Sequence, residues 1–147
     1  MIYLGSDHAG FYLKEDIKAY LASKSMQTKD LGPFELQQDD DYPDFILPLA
    51  QKVSQDPGSR GIALGASGQG EAIAANKVKG ILAAVYYGGP LDIVKLSRAH
   101  NNSNILSLGA RFLTSKEAIL AVQTWLDTSF EGGRHEQRIE KIKQAER

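Results

Sequence analysis

The apolar run Gly61-Ile62-Ala63-Leu64 continues into Gly65-Ala66-Ser67-Gly68-Gln69-Gly70-Glu71 and then into the small-residue run Ala72-Ile73-Ala74-Ala75-Asn76-Lys77. No other part of the chain constrains the fold as strongly. A buried strand must deliver the chain into a loop whose glycines permit φ > 0 and close approach to a ligand, and that loop must open a helix. Backbone amides and a helix N-terminus then converge above a sheet, where an anion is attracted, and Ser67 adds a hydroxyl in the same turn. Glu71 is the odd element, because a carboxylate there repels a phosphate held by those amides; it reads as a base. The alternative is a tight strand-to-helix turn in which Glu71 is merely favourable at a helix N-terminus. Two familiar phosphate motifs fail: no lysine follows the last glycine, and Ile73 stands where a dinucleotide fingerprint needs its third glycine.

Around this unit, strand-like and helix-like segments alternate, the pattern of an α/β domain with a parallel sheet. Met1 to Leu4 reads as a strand, and Gly10 to Ser25 as an amphipathic helix with Phe11, Leu13, Ile17, Tyr20 and Leu21 near helical spacing. Gln27 to Leu31 reads as a short strand, and Asp39-Asp40-Asp41 leads through Tyr42 to Pro43 at the first turn of a helix ending about Gln55. After a turn at Asp56-Pro57-Gly58 come the third strand and the glycine loop. Ile81 to Tyr86 is expected as a fourth strand, with Gly88-Gly89-Pro90 starting a helix to about His100. Asn104 to Leu108 is expected as the fifth strand, and Ser115 to Leu126 as a helix with Ser115 its cap. The last segment, from about Glu131 to Arg147, is mostly charged, with Ile139 and Ile142 three apart. Such a thin stripe suits a helix lying on a partner subunit, or else a solvated tail.

At 147 residues the chain suits one domain, able to bury roughly two-thirds of its unfolded surface. A formal charge of −1 argues against nucleic acid or an acidic membrane as partner through a general basic field. The absence of cysteine removes disulfides, a thiolate nucleophile and cysteine-ligated zinc. The first residues turn acidic too soon for a signal peptide and no apolar run reaches membrane-spanning length, so a cytoplasmic location is expected. Only three histidines are present, without H-x-x-x-H spacing, so no catalytic metal is expected.

In open α/β sheets, ligands bind outside the carboxyl ends of the strands. Asp7-His8 follows the first strand and the glycine loop follows the third, so both have that address; the alternative for Asp7 is a capping residue beside a surface histidine. Tyr42 either reaches the same rim or packs. His100 poses a geometric problem, since it ends the helix after strand four and should sit at the opposite edge of the sheet from the glycine loop. It is either a helix-terminal cation or part of a site on a second chain, and the polar density of Arg98-Ala99-His100-Asn101-Asn102 favours the latter. Arg111 follows strand five, and Arg134 and Arg138, four apart beside His135, share a helical face that grips a phosphate or is simply solvated.

Taken together these residues resemble the ribose-5-phosphate isomerase type B and galactose-6-phosphate isomerase family over nearly the whole chain. The matching signatures are Gly5-Ser6-Asp7-His8-Ala9-Gly10, Asp41-Tyr42-Pro43, Gly68-Gln69-Gly70 leading into Ala74-Ala75-Asn76-Lys77, Ser97-Arg98-Ala99-His100-Asn101-Asn102, and Glu131-Gly132-Gly133-Arg134-His135. The resemblance implies a Rossmann-like three-layer α/β/α fold with a five-stranded parallel sheet. It also implies a homodimer with two shared active sites, dimers of dimers being left open, and metal-free, cofactor-free aldose–ketose interconversion of a phosphorylated sugar. Many members carry a cysteine base where this chain has Gly65; the chain looks like the subgroup that uses a glutamate, here Glu71. On this resemblance His100, assisted by Asp7, opens the sugar ring and Glu71 moves the proton between C2 and C1. Ser67 and the amides of Gly68, Gln69 and Gly70 stabilise the oxyanion. Tyr42 and Asn101 contact the substrate, and His8, Arg111, Arg134 and Arg138 bind its phosphate. Ribose 5-phosphate is the expected substrate, with a six-carbon phosphosugar such as galactose 6-phosphate or allose 6-phosphate, or a non-catalytic phosphosugar-binding module, as alternatives.

Overall fold

The computed structural model of the chain describes residues 1–146. β1 (Ile2–Ser6) passes through a 3-10 turn at His8–Gly10 into α1 (Phe11–Ser23), and β2 (Thr28–Asp30) is followed by α2 (Pro43–Gln55). β3 (Arg60–Gly65) leads into α3 (Gln69–Asn76), β4 (Ala83–Tyr86) into α4 (Asp92–Ala99), and β5 (Ile105–Gly109) into α5 (Ser115–Asp127). α6 (Arg134–Gln144) follows. The strands form one parallel sheet in the order β2-β1-β3-β5-β4.

Burial on both faces explains the near-continuous apolar strands: every residue of β1 and β5 is buried. On one face Leu13, Ile17 and Leu21 of α1, Val94 of α4, and Ala118, Val122 and Trp125 of α5 cover the sheet. On the other, Ile46, Leu49, Ala50 and Val53 of α2 pack with Ala75 of α3. The result is the expected three-layer α/β/α arrangement. The connection leaving β1 runs outward to β2, while that leaving β3 runs past β5 to β4, so the strand order reverses between β1 and β3. A crevice opens above the carboxyl ends of strands at such a reversal. Asp7-His8 and the glycine loop leave the sheet there.

Several boundaries differ from the sequence reading for local reasons. The first helix opens as a 3-10 turn because Asp7 Oδ1 accepts hydrogen bonds from the N–H groups of Ala9 (2.9 Å) and Gly10 (3.2 Å). The helix after Gly88-Gly89-Pro90 starts only at Asp92, and the fourth strand starts at Ala83, with Ile81 buried just before it. Ser115 is not the cap of α5. Thr114 is: it is extended (φ −73°, ψ 161°) and exchanges hydrogen bonds with Glu117 in a capping box. The C-terminal segment carries α6, with Ile139 buried and Ile142 51% exposed. Arg147, the end of that expected segment, lies outside the described residues. Among the described residues no helix is long and apolar enough to cross a membrane.

Gly10 fixes how closely this turn lies on β3. A Cβ at residue 10 would sit 2.6 Å from Leu64 Cβ and 2.8 Å from the Leu64 carbonyl carbon and oxygen. A backbone cannot retreat as a flexible side chain does, so Gly10→Ala should cost about 1–3 kcal/mol and Gly10→Val more. Gly58 has φ +84°, and a Cβ there would meet no atom within 4 Å, so Gly58→Asn, which tolerates that backbone region, should stay close to wild type. Urea midpoints check this order, and equal midpoints for the Gly10 variants and Gly58→Asn would contradict it.

Candidate active site

The three central strand ends are stitched together at the reversal. Asp7 N–H donates to Leu64 O at 3.3 Å, Ala110 N–H to Gly65 O at 2.7 Å, and Arg111 N–H to Ala66 O at 3.0 Å. Gly68 takes the left-handed conformation (φ 80°) that opens α3, and its carbonyl accepts a 2.6 Å hydrogen bond from Ser107 Oγ. A Cβ at Gly109 would meet Ser67 O at 2.6 Å, so only glycine lets the loop close onto β5. Ser67 Oγ accepts from Gln69 N–H at 3.3 Å. Tyr42, at the start of α2, lays its phenol against Gly70, where a Cβ would be 2.7 Å from the phenolic oxygen.

Glu71 is a buried acid of this rim, only 4% exposed, and Asp7 is another. Its carboxylate occupies the space next to Gly65 that a side chain at residue 65 would fill. Burial pushes its pKa above the ordinary carboxylate value, the charge of Asp7 pushes the same way, and its own backbone N–H partly offsets both. Asp7 therefore caps the 3-10 turn, as the structural alternative required, and also faces Glu71. His8 Nδ1 lies 2.7 Å from Asp40 Oδ1. That hydrogen bond raises the His8 pKa most; the charges of Asp7 and Asp40 add to it, while burial and the Arg111 guanidinium oppose it. Asp7, His8, Tyr42, the Ser67–Glu71 loop and Arg111 thus form one cluster.

The remaining expected site residues form a second cluster at the other end of the sheet. His100 ends α4, and its ring stacks on that of His135 with centroids 4.1 Å apart and planes within 13°. Glu131 Oε2 lies 3.8 Å from His100 Nε2 and 3.7 Å from His135 Nε2. Asn101, Arg134 and Arg138 are exposed beside them. β5 starts at Ile105, just beyond this cluster, and ends beside the glycine loop, with Gly65 opposite Gly109. The two clusters are therefore separated by about a strand's length, roughly 16 Å at ~3.3 Å per residue. One chain does not bring His100, Asn101, Arg134 or Arg138 to Glu71.

Residues 2–142 match the Ribose/Galactose Isomerase family. The chain belongs to that family. It is 43% identical to the probable ribose-5-phosphate isomerase B of Mycoplasma pneumoniae over 141 residues, which covers 96% of this chain and 91% of the relative. It is 42% identical to ribose-5-phosphate isomerase B of Mycolicibacterium paratuberculosis, covering 99% of this chain and 91% of that one. The crystal structure of ribose-5-phosphate isomerase B from Mycoplasma genitalium with bound ribulose-5-phosphate superposes with a TM-score of 0.95 at 42% identity, covering 99% of this chain and 95% of that chain.

Three residues that hold these clusters in place have no individual role in the sequence motifs that contain them. Asp40, in the acidic run before α2, was legible only as a lead-in to a helix, yet it holds His8 from 32 residues away. Glu131 sits four residues before His135, a same-face spacing that was there to be read. Arg98 is 6% exposed and donates to the carbonyls of Ser103 (2.6 Å) and Thr128 (3.3 Å) and to Asn102 Oδ1 (3.0 Å), which fixes the turn carrying His100 and Asn101. Burial and the charge of Arg60 lower its pKa to about 10. Folding also gathers two groups of potential metal-ligating atoms within 4.8 Å, His100-Glu131-His135 and Asp7-His8-Asp40, which linear spacing did not announce. In the second, Asp40 Oδ1 already accepts two hydrogen bonds from His8.

Glu71 sets up a test that needs no substrate. A carboxylate whose pKa is higher in the folded than in the unfolded chain supplies stability below its unfolded value and loses it as pH rises through the folded value. Glu71→Gln removes that loss. Its thermal midpoint should equal or exceed the wild-type midpoint at pH 8, and the advantage should disappear near pH 4. A lower midpoint for Glu71→Gln at pH 8 would contradict the buried-carboxylate description.

Proposed function

We propose that the chain interconverts ribose 5-phosphate and ribulose 5-phosphate, with Glu71 as the base and with each active site shared between two copies of the chain. The carrying observation is a carboxylate buried to 4% exposure beside the loop amides, with its pKa raised toward the range in which a general base works at neutral pH. The relatives' names and the ribulose-5-phosphate bound to the Mycoplasma genitalium protein support the choice of substrate.

The sugar arrives mainly as a closed ring. His100 of one copy, with Asp7 of the other, moves a proton from the anomeric hydroxyl to the ring oxygen as the ring C–O bond breaks, leaving the open aldehyde. Glu71 then takes the C2 proton, and the electron pair moves to form the enediolate as negative charge develops on O1. Ser67 Oγ and the amides of Gly68, Gln69 and Gly70 meet that oxyanion, each donor typically contributing a few kcal/mol. A proton passes from O2 to O1, the carbonyl forms at C2, and the Glu71 carboxyl returns its proton to C1. Asn101 and Tyr42 hold hydroxyls. His8 and Arg111 from one copy, and Arg134 and Arg138 from the other, hold the phosphate and so keep the reacting carbons over Glu71.

Sharing between copies is supported by the opposite-end placement of the two clusters, and by the exposed apolar residues along α4 and α6. Ile93 and Leu96 of α4 are 47% and 46% exposed, and Ile142 of α6 51%. A two-fold pairing that seats each chain's His100 cluster against its partner's glycine loop would complete both sites at once.

A coupled assay of ribose 5-phosphate, allose 6-phosphate and galactose 6-phosphate on one preparation tests the substrate. Ribose 5-phosphate should have the highest kcat/KM, and a hexose phosphate matching or exceeding it would overturn the choice. Glu71→Gln should lower kcat at least about a hundredfold. Mixed with His100→Ala chains in equal amounts, it should regain about a quarter of wild-type activity, because half of the dimers carry one intact site. No recovery despite demonstrated subunit exchange would mean that each site belongs to one chain.

A further inference from the structure

We infer that Asp40 is a positioning residue for substrate binding: its carboxylate holds the His8 ring as a fixed cation that faces the substrate phosphate. The inference rests on the phosphosugar reading of the site. Asp40 Oδ1 accepts two hydrogen bonds from one residue, the backbone N–H of His8 at 3.0 Å and Nδ1 of its ring at 2.7 Å. That pair sets the tautomer and the ring plane together. With Nδ1–H committed to Asp40, Nε2 on the other side of the ring is left for a ligand, and 28% of the His8 side chain is exposed.

The environment of Asp40 requires a cation. Its side chain is 6% exposed, and its second oxygen, Oδ2, is buried without a hydrogen-bond partner among the described residues. A carboxylate so placed is costly unless an opposite charge faces it. His8 is its ion-pair partner among the described residues. The charged groups that act on His8 are Asp7, Asp40 and Arg111: the Asp40 hydrogen bond is the largest influence and raises its pKa, both acids add to that, and burial and Arg111 oppose it. Without Asp40, the two opposing influences face Asp7 alone.

The sign of the pH effect follows. A raised imidazole pKa keeps His8 charged to higher pH than an ordinary histidine, and the phosphate grip weakens as pH rises through that raised value. A phosphomonoester, with its second pKa near 6, is already a dianion there. Losing the Asp40 charge should therefore weaken binding more at pH 8 than at pH 6, because His8 then gives up its charge at a lower pH. A merely structural tie between the β2–α2 connection and the 3-10 turn would instead lower stability and leave the pH profile in place.

The decisive measurement is an NMR titration of the His8 ring, assigned against His8→Ala, in wild type and Asp40→Asn, alongside ribose 5-phosphate kinetics from pH 6 to 8.5. Asp40→Asn should lower the His8 pKa by about one unit or more. It should also raise KM roughly tenfold at pH 8 with kcat within about twofold, the KM gap narrowing at pH 6. In a His8→Ala background it should raise KM no further. An unshifted His8 titration, a fall in kcat at constant KM, or additive effects in the double variant would each overturn the inference. Asp40→Ser, also uncharged, carries the same expectations if Asp40→Asn does not fold. If wild type does not turn over ribose 5-phosphate, the functional reading fails separately. The titration, repeated with inorganic phosphate, then still reads the dyad: phosphate should raise the His8 pKa in wild type, and no response would overturn the inference.

Discussion

The Glu71 carboxylate lies in space that exists only because residue 65 has no side chain. Much of the surrounding architecture serves to keep that space and its lid in place. The left-handed turn at Gly68 aims α3 so that Glu71 points back over the end of β3, and Ser107 on the neighbouring strand anchors the Gly68 carbonyl. Gly109 lets the Ser67 backbone close down on β5. A bulkier residue at 65 and Glu71 in its present orientation exclude one another sterically. The resemblance to a family divided between a cysteine at one position and a glutamate at the other thus has a packing reason: both side chains compete for one volume.

The second constraint is topological. A parallel βα unit sends each helix back along its strand, so a residue ending α4 must lie at the opposite end of the sheet from a loop that follows β3. His100 obeys this rule, and Arg98 makes its position rigid by donating to carbonyls on both the β5 approach and the end of α5. The network extends inward, since Trp125 Nε1 donates to Ser103 Oγ, which in turn donates to Ser97 Oγ. Such a fully bonded polar layer around a large buried aromatic stiffens the turn that carries His100 and Asn101. On the proposed sharing of sites, His100 acts on another chain's ligand and needs that rigidity, because no contact with its own glycine loop can orient it.

Sequence exposed what is local or periodic. The three central strands, β1, β3 and β5, read clearly because burial on both faces demands nearly unbroken apolar runs, and the glycine loop and Asp7-His8 read as site elements because they directly follow such runs. The features that stayed hidden depend on tertiary proximity. Asp40 reaches His8 across the connection between β2 and α2, and an acidic run has no way to announce which of its members will be buried. The stacked pair of His100 and His135 comes from segments that meet only when α6 folds back over the sheet edge. The cap of α5 is Thr114 and not the expected Ser115, because the Thr114 side chain and backbone exchange hydrogen bonds with Glu117, three residues into the helix.

Asp7 links these pieces electrostatically, because its single charge acts on two neighbours of opposite kind. It raises the pKa of Glu71, and so raises the pH above which that carboxylate, the proposed base, is charged. It also raises the pKa of His8, and so raises the pH below which the cation is available. Burial works in the opposite sense on the two groups, pushing the acid up and the imidazole down, which narrows the interval in which both are in their working forms. Asp40 counters that narrowing at the His8 end alone, because its hydrogen bond is the largest influence on that ring, while it is not among the groups that shift Glu71. On the proposed assignment, Asp7 slides the whole working interval upward in pH and Asp40 widens it from above. Two acids beside His8 therefore do different work, and the difference lies in whether the carboxylate acts on the base and the cation together or on the cation only.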